Sequence, residues 1–269
     1  MNIKTQLSDN GYVVLKRVLP EEAVNDAKRA ILQCSNQQLA ICRKVGCDEI
    51  HKSLKHLFAA DLTRYKKTVA SLWRLVDVYN VLQHGSIQDI LKKQLDYGQI
   101  SAAGGQVVHL QSKHLKIPGG YFGLPAHQDF PSVNGSLDGV IVWTPLIDNI
   151  NNQFPLQIIP KSHKNGLFPT LEDSDIPWEI DKKYYSEQDF ISVECSVTDI
   201  VIMSTFTIHR SGIVGDNGLK LSCSARFDNV SETSFIDNAY PSAYRRSVDR
   251  EQHKDNPFLP QFCGTIQAS

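Results

Sequence analysis

The sequence predicts an α+β domain with a jelly-roll core flanked by N-terminal helices. Up to about residue 100, apolar residues recur with helical spacing. From about residue 105 they come instead in short runs between Gly, Pro, Asn and Asp clusters, the pattern of an all-β sandwich or barrel. The 269 residues carry no repeat and no low-complexity tract, which fits one domain. Within 1–269 the expected parts are a helical stretch of about 1–100, a β-rich core of about 101–235 and a polar C-terminal tail.

The elements follow in order. Gly11-Tyr12-Val13-Val14-Leu15 reads as a short strand. Pro20 stands at a first helical position with Glu21 and Glu22 in the first turn, so a helix is expected from Glu21 to about Cys34. Leu57, Leu62, Tyr65, Val69, Leu72, Leu75 and Val76 keep the helical period through about 55–97. Strands are expected at 106–111, 139–146, 156–159, 191–193, 199–203 and 219–227. The tail beyond Phe235, with Pro241, Arg245, Arg246, Arg250 and Pro257, is expected to form a short helix or to cover the barrel mouth.

Composition narrows the function classes. Charged residues make up 21% and apolar residues 41%, with a net charge of −1 and no long block of one sign. Such a chain is an ordinary globular protein. It lacks the clustered Lys and Arg that nucleic acid or an anionic membrane requires of a standing partner. The N-terminus has no secretory apolar core, and no run approaches the ~18 apolar residues of a membrane span, so a cytoplasmic location is expected. Cys34, Cys42 and Cys47 are close in sequence, but their spacing fits no standard zinc site. Reduced, partly buried thiols are expected.

The chemistry concentrates at His127-Gln128-Asp129, between a Gly/Pro loop (118–125) and the strand at 139–146. On an extended segment, residues two apart face the same side, so His127 and Asp129 can converge on one metal. The run Asp199–Met203 leads through Phe206 to His209, a histidine placed to reach a barrel mouth. Two histidines and one carboxylate with positions left open make the facial triad of non-haem Fe(II) oxygenases. The letters alone are weak: a second copy, His253-Lys254-Asp255, lies in the tail, follows no strand and has no histidine after it. In the strand at 219–227, Lys220, Ser222, Ser224 and Arg226 share one face. A surface strand gives the same alternation. Turned inward, that face offers the cation that the far carboxylate of 2-oxoglutarate needs.

Five motifs in order, namely 127–131, 142–148, 160–166, 198–212 and 220–227, together with the opening 9–22, resemble the phytanoyl-CoA dioxygenase family. The resemblance covers about residues 8–230. It implies a double-stranded β-helix, Fe(II) as cofactor, 2-oxoglutarate as co-substrate and O2 as oxidant, with succinate and CO2 released as a C–H bond of a small molecule is oxidised. His127, Asp129 and His209 match the family's metal ligands, and Asp129 implies hydroxylation or another oxidation rather than halogenation. The family usually has Arg where this chain has Lys220. A lysine holds a carboxylate only as a point charge. Lys220 is favoured as the anchor, with Arg226 sharing the anion or facing the substrate. The chain also carries Lys161 and Thr198 where the family usually has Gly, departures expected to alter only turns.

Tyr121 is a candidate to hydrogen-bond 2-oxoglutarate, or else a loop aromatic. Gln111 and His109 can face the same cavity, whereas His114 is expected at the surface. Trp143 packs beside the co-substrate or in the core, and Ser222 lies on the anchoring face. Ser162 and His163 are expected to stabilise a turn. Arg210, Arg226, Arg245 and Arg246 hint at a polar or anionic substrate. Two rivals use the same residues: a non-oxidative cupin-type metalloenzyme with Zn or Mn, and a metal-free binding jelly roll.

Overall fold

The computed structural model describes residues 2–118, 120, 122–148, 153–171, 178–216 and 218–240. Six helices precede the barrel: α1 (Ile3–Asn10), α2 (Glu21–Ile41), α3 (Ile50–Ala60), α4 (Leu62–Ser71), α5 (Val76–Leu82) and α6 (Gly85–Gln94). The strands are β1 (Tyr12–Leu15), β2 (Ile100–Ala102), β3 (Val107–Gln111), β4 (Val140–Pro145), β5 (Leu156–Ile158), β6 (Ile191–Ser192), β7 (Ile200–Ser204), β8 (His209–Ser211) and β9 (Lys220–Asn229). Short helices α7 (Phe130–Val133) and α8 (Thr233–Asp237) complete the described chain.

The major sheet runs β1-β7-β4-β9-β2, with β3 also pairing β9, and the minor sheet runs β6-β5-β8. Every pairing between these strands is antiparallel. The two sheets form the jelly roll. The outer face of the major sheet (Val140, Val142, Ile200, Ile202, Leu221, Cys223, Ala225) joins one core with Val24, Ala27 and Ile31 of α2 and Val78, Val81 and Leu82 of α5. The inner face packs Ile141, Trp143, Val201 and Met203 against Leu156 and Ile158 of the minor sheet. Helices on one face and a second sheet on the other bury both faces of β4 and β7. Those strands therefore read as unbroken apolar runs rather than alternating ones.

Helix α2 continues to Ile41, past the expected end near Cys34. Its buried face runs Val24, Ala27, Ile31, Ser35, Leu39. Ser35 holds that stripe together by donating to Leu32 O at 3.0 Å and accepting from Ser53 Oγ at 2.7 Å, so a polar letter does not end the helix. Pro20 is the N-cap rather than the first helical residue. Cys34, Cys42 and Cys47 are free, half-buried thiols. Among the described residues no helix is long and apolar enough to cross a membrane.

Two departures from the family pattern carry backbone strain. Lys161 and Thr198 both adopt positive φ, 64° and 74°. That conformation is natural for glycine and costly for a β-branched threonine. Thr198 is fixed in place because its carbonyl accepts from Val18 N and Leu19 N, within a turn closed by Asp199 N–H to Ser196 O at 3.0 Å.

Candidate metal centre

His127 and His209 are brought together by the backbone. His127 N–H donates to His209 O and His209 N–H to His127 O, both at 3.0 Å. Directly opposed residues on antiparallel segments carry their side chains on the same face, and the two rings lie 4.1 Å apart. His209 opens its own short strand, β8, rather than trailing the strand before it. Ser162 fixes the approach: its Oγ accepts from Ile208 N–H at 2.9 Å and donates to Ile159 O at 2.7 Å.

Asp129 arrives by a different geometry from the extended one expected. Its φ of −81° and ψ of −24° are helical, as it caps α7. Asp129 N–H donates to Thr205 O at 3.0 Å, turning the carboxylate toward the imidazoles. The residue between the ligands locks this turn. Buried Gln128 donates to Gly166 O (2.9 Å) and Phe206 O (2.6 Å) and accepts from Phe168 N–H (2.8 Å).

Asp129 Oδ1 lies 3.3 Å from His127 Nε2 and 3.8 Å from His209 Nε2. One ligand atom from each of the three residues falls within 4.8 Å of the others, the one such group among the described residues. The donor set suits a metal. His127 Nδ1 meets Pro125 O at 2.7 Å and His209 Nδ1 meets Thr207 O at 3.0 Å. A carbonyl only accepts, so each Nδ1 carries the proton and each Nε2 presents a lone pair. Burial, with His127 beside it, pushes His209 down to about 3, so its ring is neutral. Burial also raises the Asp129 carboxyl, but Arg226 and the two imidazoles outweigh it and hold it well below the usual carboxylate range. Arg226 Nε donates to Asp129 Oδ2 at 2.6 Å, leaving Oδ1 to face the histidines.

The anchoring strand turns inward. In register, β9 sets Lys220 beside Gln111 and Ser222 beside His109. Lys220, Trp143, His109 and Arg226 line a narrow chamber of about 20 Å³ with both ligand histidines. Lys220 is 2% exposed, has no hydrogen-bond or ion-pair partner among the described residues, and is pushed by burial down to about 7. Ser222 Oγ is buried and unpartnered. An unpaired ammonium with an orphaned hydroxyl two residues along the same face fits an absent carboxylate.

Other candidates fall differently. Arg226 spends its Nε on Asp129 and donates through NH1 to Ser224 Oγ at 2.9 Å, so it orients the Asp129 carboxylate. Gln111 donates to Gly212 O at 3.1 Å. Arg210 borders the chamber, but its guanidinium is committed to Glu187 at 2.6 Å and Gln157 at 2.9 Å and lies over the Phe190 ring. His114 is exposed, 6.2 Å from the His51 ring. Tyr121, the tail arginines and the His253-Lys254-Asp255 copy lie outside the described residues. Gln128 and Ser162 lie inside the motifs at 127–131 and 160–166, and the sequence predicts only a turn role for Ser162; their bonds to Phe206, Phe168 and Ile208 join segments distant in sequence.

A family model described as phytanoyl-CoA dioxygenase (PhyH) matches residues 7–214, a stretch that holds all three triad residues and stops before β9. The chain is similar to the solved structure of SnoK, a non-heme alpha ketoglutarate dependent carbocyclase from nogalamycin biosynthesis (14% identity, 99% of this chain and 93% of that chain, TM-score 0.54). It is similar to the epimerase SnoN in complex with Fe3+, alpha ketoglutarate and nogalamycin RO (15%, 98% and 92%, TM-score 0.52). AviO1 from Streptomyces viridochromogenes Tue57 is also similar (14%, 86% and 95%, TM-score 0.51). At these identities the likeness is one of fold. No curated protein matches the sequence.

Proposed function

Because the chain belongs to the phytanoyl-CoA dioxygenase family, we propose that it is an Fe(II)- and 2-oxoglutarate-dependent oxygenase that hydroxylates a C–H bond of a small-molecule substrate. The observation that carries this is the triad: two imidazoles with Nε2 turned to one point, that of His209 neutral, and a carboxylate kept ionised beside them. That donor set, two histidines and one carboxylate on one side, suits non-haem iron with open positions. Bound there, iron supplies the oxidising power, O2 being consumed as 2-oxoglutarate becomes succinate and CO2.

The chain's own residues hold and orient. His127 and His209 present fixed lone pairs. Asp129 offers Oδ1 while Arg226 occupies Oδ2, so Oδ1 is the oxygen that would hold the metal. Lys220 is the reading for the far carboxylate of 2-oxoglutarate, with Ser222 Oγ as a second donor. The chamber is narrow with the side chains as they stand. Trp143 walls the chamber and limits water around the reacting centre.

Anaerobic addition of Fe(II) and then 2-oxoglutarate tests this reading. A visible charge-transfer band that needs both partners is expected, with succinate released on admitting air. The band is expected to disappear in Asp129→Asn. No band and no succinate from the wild-type protein would move the assignment to a non-oxidative metalloenzyme or a binding protein.

A further inference from the structure

We propose that the substrate is a predominantly apolar molecule of drug size that offers a hydrogen-bond acceptor to His109 Nδ1–H beside the metal centre. This rests on the oxygenase reading for the meaning of "substrate", but the test below does not need turnover.

A cavity of about 700 Å³ opens onto His127 and Asp129 and runs past β3 toward α4. That volume lies within the roughly 300–1,000 Å³ of sites that bury drug-sized ligands. Its wall is mainly apolar, with Leu110, Leu115, Ile117, Phe122, Leu124 and Trp178. Among the described residues, the charged side chains on it are Asp129, Arg226 and Lys116. Asp129 and Arg226 satisfy each other at 2.6 Å. Lys116 is exposed and stands 5.8 Å over the Phe122 ring. Beside the triad, therefore, the described wall offers no uncommitted cation for an anionic group. Arg210, a sequence hint for such a group, is paired with Glu187. A polar, highly hydrated ligand entering here exchanges most of its water for aliphatic and aromatic carbon, with His109, Gln111, Ser112, Ser132 and Ser211 the uncharged polar side chains, besides the histidine of the triad, on the described wall.

One polar group on the wall is placed to read the ligand. His109 lines both this cavity and the narrow chamber beside the triad. Its Nε2 meets Ser224 Oγ at 2.8 Å. Ser224 Oγ accepts from Arg226 NH1 at 2.9 Å, and a guanidinium only donates. The serine proton then has one acceptor among its described neighbours, His109 Nε2. This places the imidazole proton on Nδ1, the ring nitrogen that has no protein partner among the described residues. A continuous relay runs Asp129–Arg226–Ser224–His109, so the tautomer that reads the substrate is set from the metal's carboxylate ligand. Burial and the nearby Lys220 and Arg226 keep the His109 ring neutral, because they hold its proton affinity well below the usual histidine range.

The test is equilibrium binding to the metal-free protein, read by quenching of Trp178 fluorescence with Trp178→Phe as the blank. The probes are 2-hexanone, 2-octanone and 2-decanone, alkylbenzenes of matched length, and citrate and glucose as hydrophilic controls. Ketone affinity is expected to rise about fourfold per added CH2. His109→Phe is expected to weaken the ketones about fivefold, the worth of one neutral hydrogen bond, and to leave alkylbenzenes unchanged. His109→Asn, which keeps a donor, is expected to restore part of the loss and guards against a folding defect in the Phe variant. Citrate or glucose binding more tightly than 2-decanone overturns the apolar assignment. Equal weakening of ketones and alkylbenzenes in His109→Phe overturns the role of His109. A missing charge-transfer band would count against the oxygenase reading alone, since none of these measurements uses iron.

Discussion

Raising the pH from 7.0 to 8.5 is expected to weaken 2-oxoglutarate binding about 16-fold. Lys220 sits at about 7 because burial penalises its ammonium. It is half protonated at pH 7 and about 3% protonated at pH 8.5, and only the protonated form pairs with a carboxylate. The carboxylate restores the ammonium on binding, so complex formation takes up about half a proton at pH 7 and nearly one at pH 8.5. The groups facing Lys220 do not mask the effect. His109 on β3 and His209 on β8 are held neutral by burial, and Asp129 is held ionised by Arg226. Calorimetric titration with Mn(II) in place of Fe(II) measures the constants at half-unit steps. Pyruvate, which has the keto acid but no far carboxylate, is expected to show no such slope. Lys220→Arg, whose guanidinium stays charged, is expected to flatten it. A flat profile for the wild-type protein, or the same slope in Lys220→Arg, refutes Lys220 as the anchor. The same lysine depresses stability. Between about 7 and its usual 10.5 the unfolded chain holds a proton that the fold does not, so its contribution to stability rises with pH over that window. The penalty, roughly 5 kcal/mol at most, is fully present below pH 7. Lys220→Met is therefore expected to melt higher than the wild type at pH 6.5 while losing 2-oxoglutarate binding.

Arg226→Met removes the partner of Asp129 Oδ2 and the donor to Ser224. Metal affinity, measured by competition with a chelator, is expected to fall about 10–100-fold, the usual worth of a group that orients a ligand. Gln128→Leu strands Gly166 O, Phe206 O and Phe168 N–H in the buried interior. It is expected to cost about 3 kcal/mol and to lower the melting temperature by about 6–12 °C, with weaker metal binding besides. Thr198→Gly, at a φ of 74°, is expected to stabilise by about 1 kcal/mol and Lys161→Gly by somewhat less. A denaturant midpoint unchanged in Thr198→Gly would show that its backbone carries no strain.

What was legible in the sequence were features that repeat locally. The six strand segments read from the β-rich half all form, because alternation and turn chemistry act over a few residues. The strand at 219–227 was ambiguous on pattern alone, since Lys220, Ser222, Ser224 and Arg226 suit a surface as well as an interior. Its setting decides the matter: β4 covers one edge of β9, β3 and β2 share the other, and the minor sheet closes over the inner face. Polar letters then become a buried row. What was not legible were pairings across sequence distance. The register that sets His127 against His209 is written in two backbone hydrogen bonds, which any residue type supplies. Gln128 and Ser162 likewise act through distant carbonyls and N–H groups.

The departures from the family pattern show how a substitution is read only once the backbone is known. Lys161 and Thr198 both stand where glycine is usual, and both keep the left-handed backbone that glycine suits. The fold has thus held its turns and absorbed the strain. Lys220 works in the opposite sense. Arginine in that place would stay charged whether or not an anion were bound. A lysine pressed to about 7 by burial is poised to lose its charge in an empty chamber and regain it with a carboxylate. With Lys220 as the proposed anchor, the same change that removes the bidentate fork is expected to tie co-substrate affinity to pH, a linkage that the arginine form cannot have.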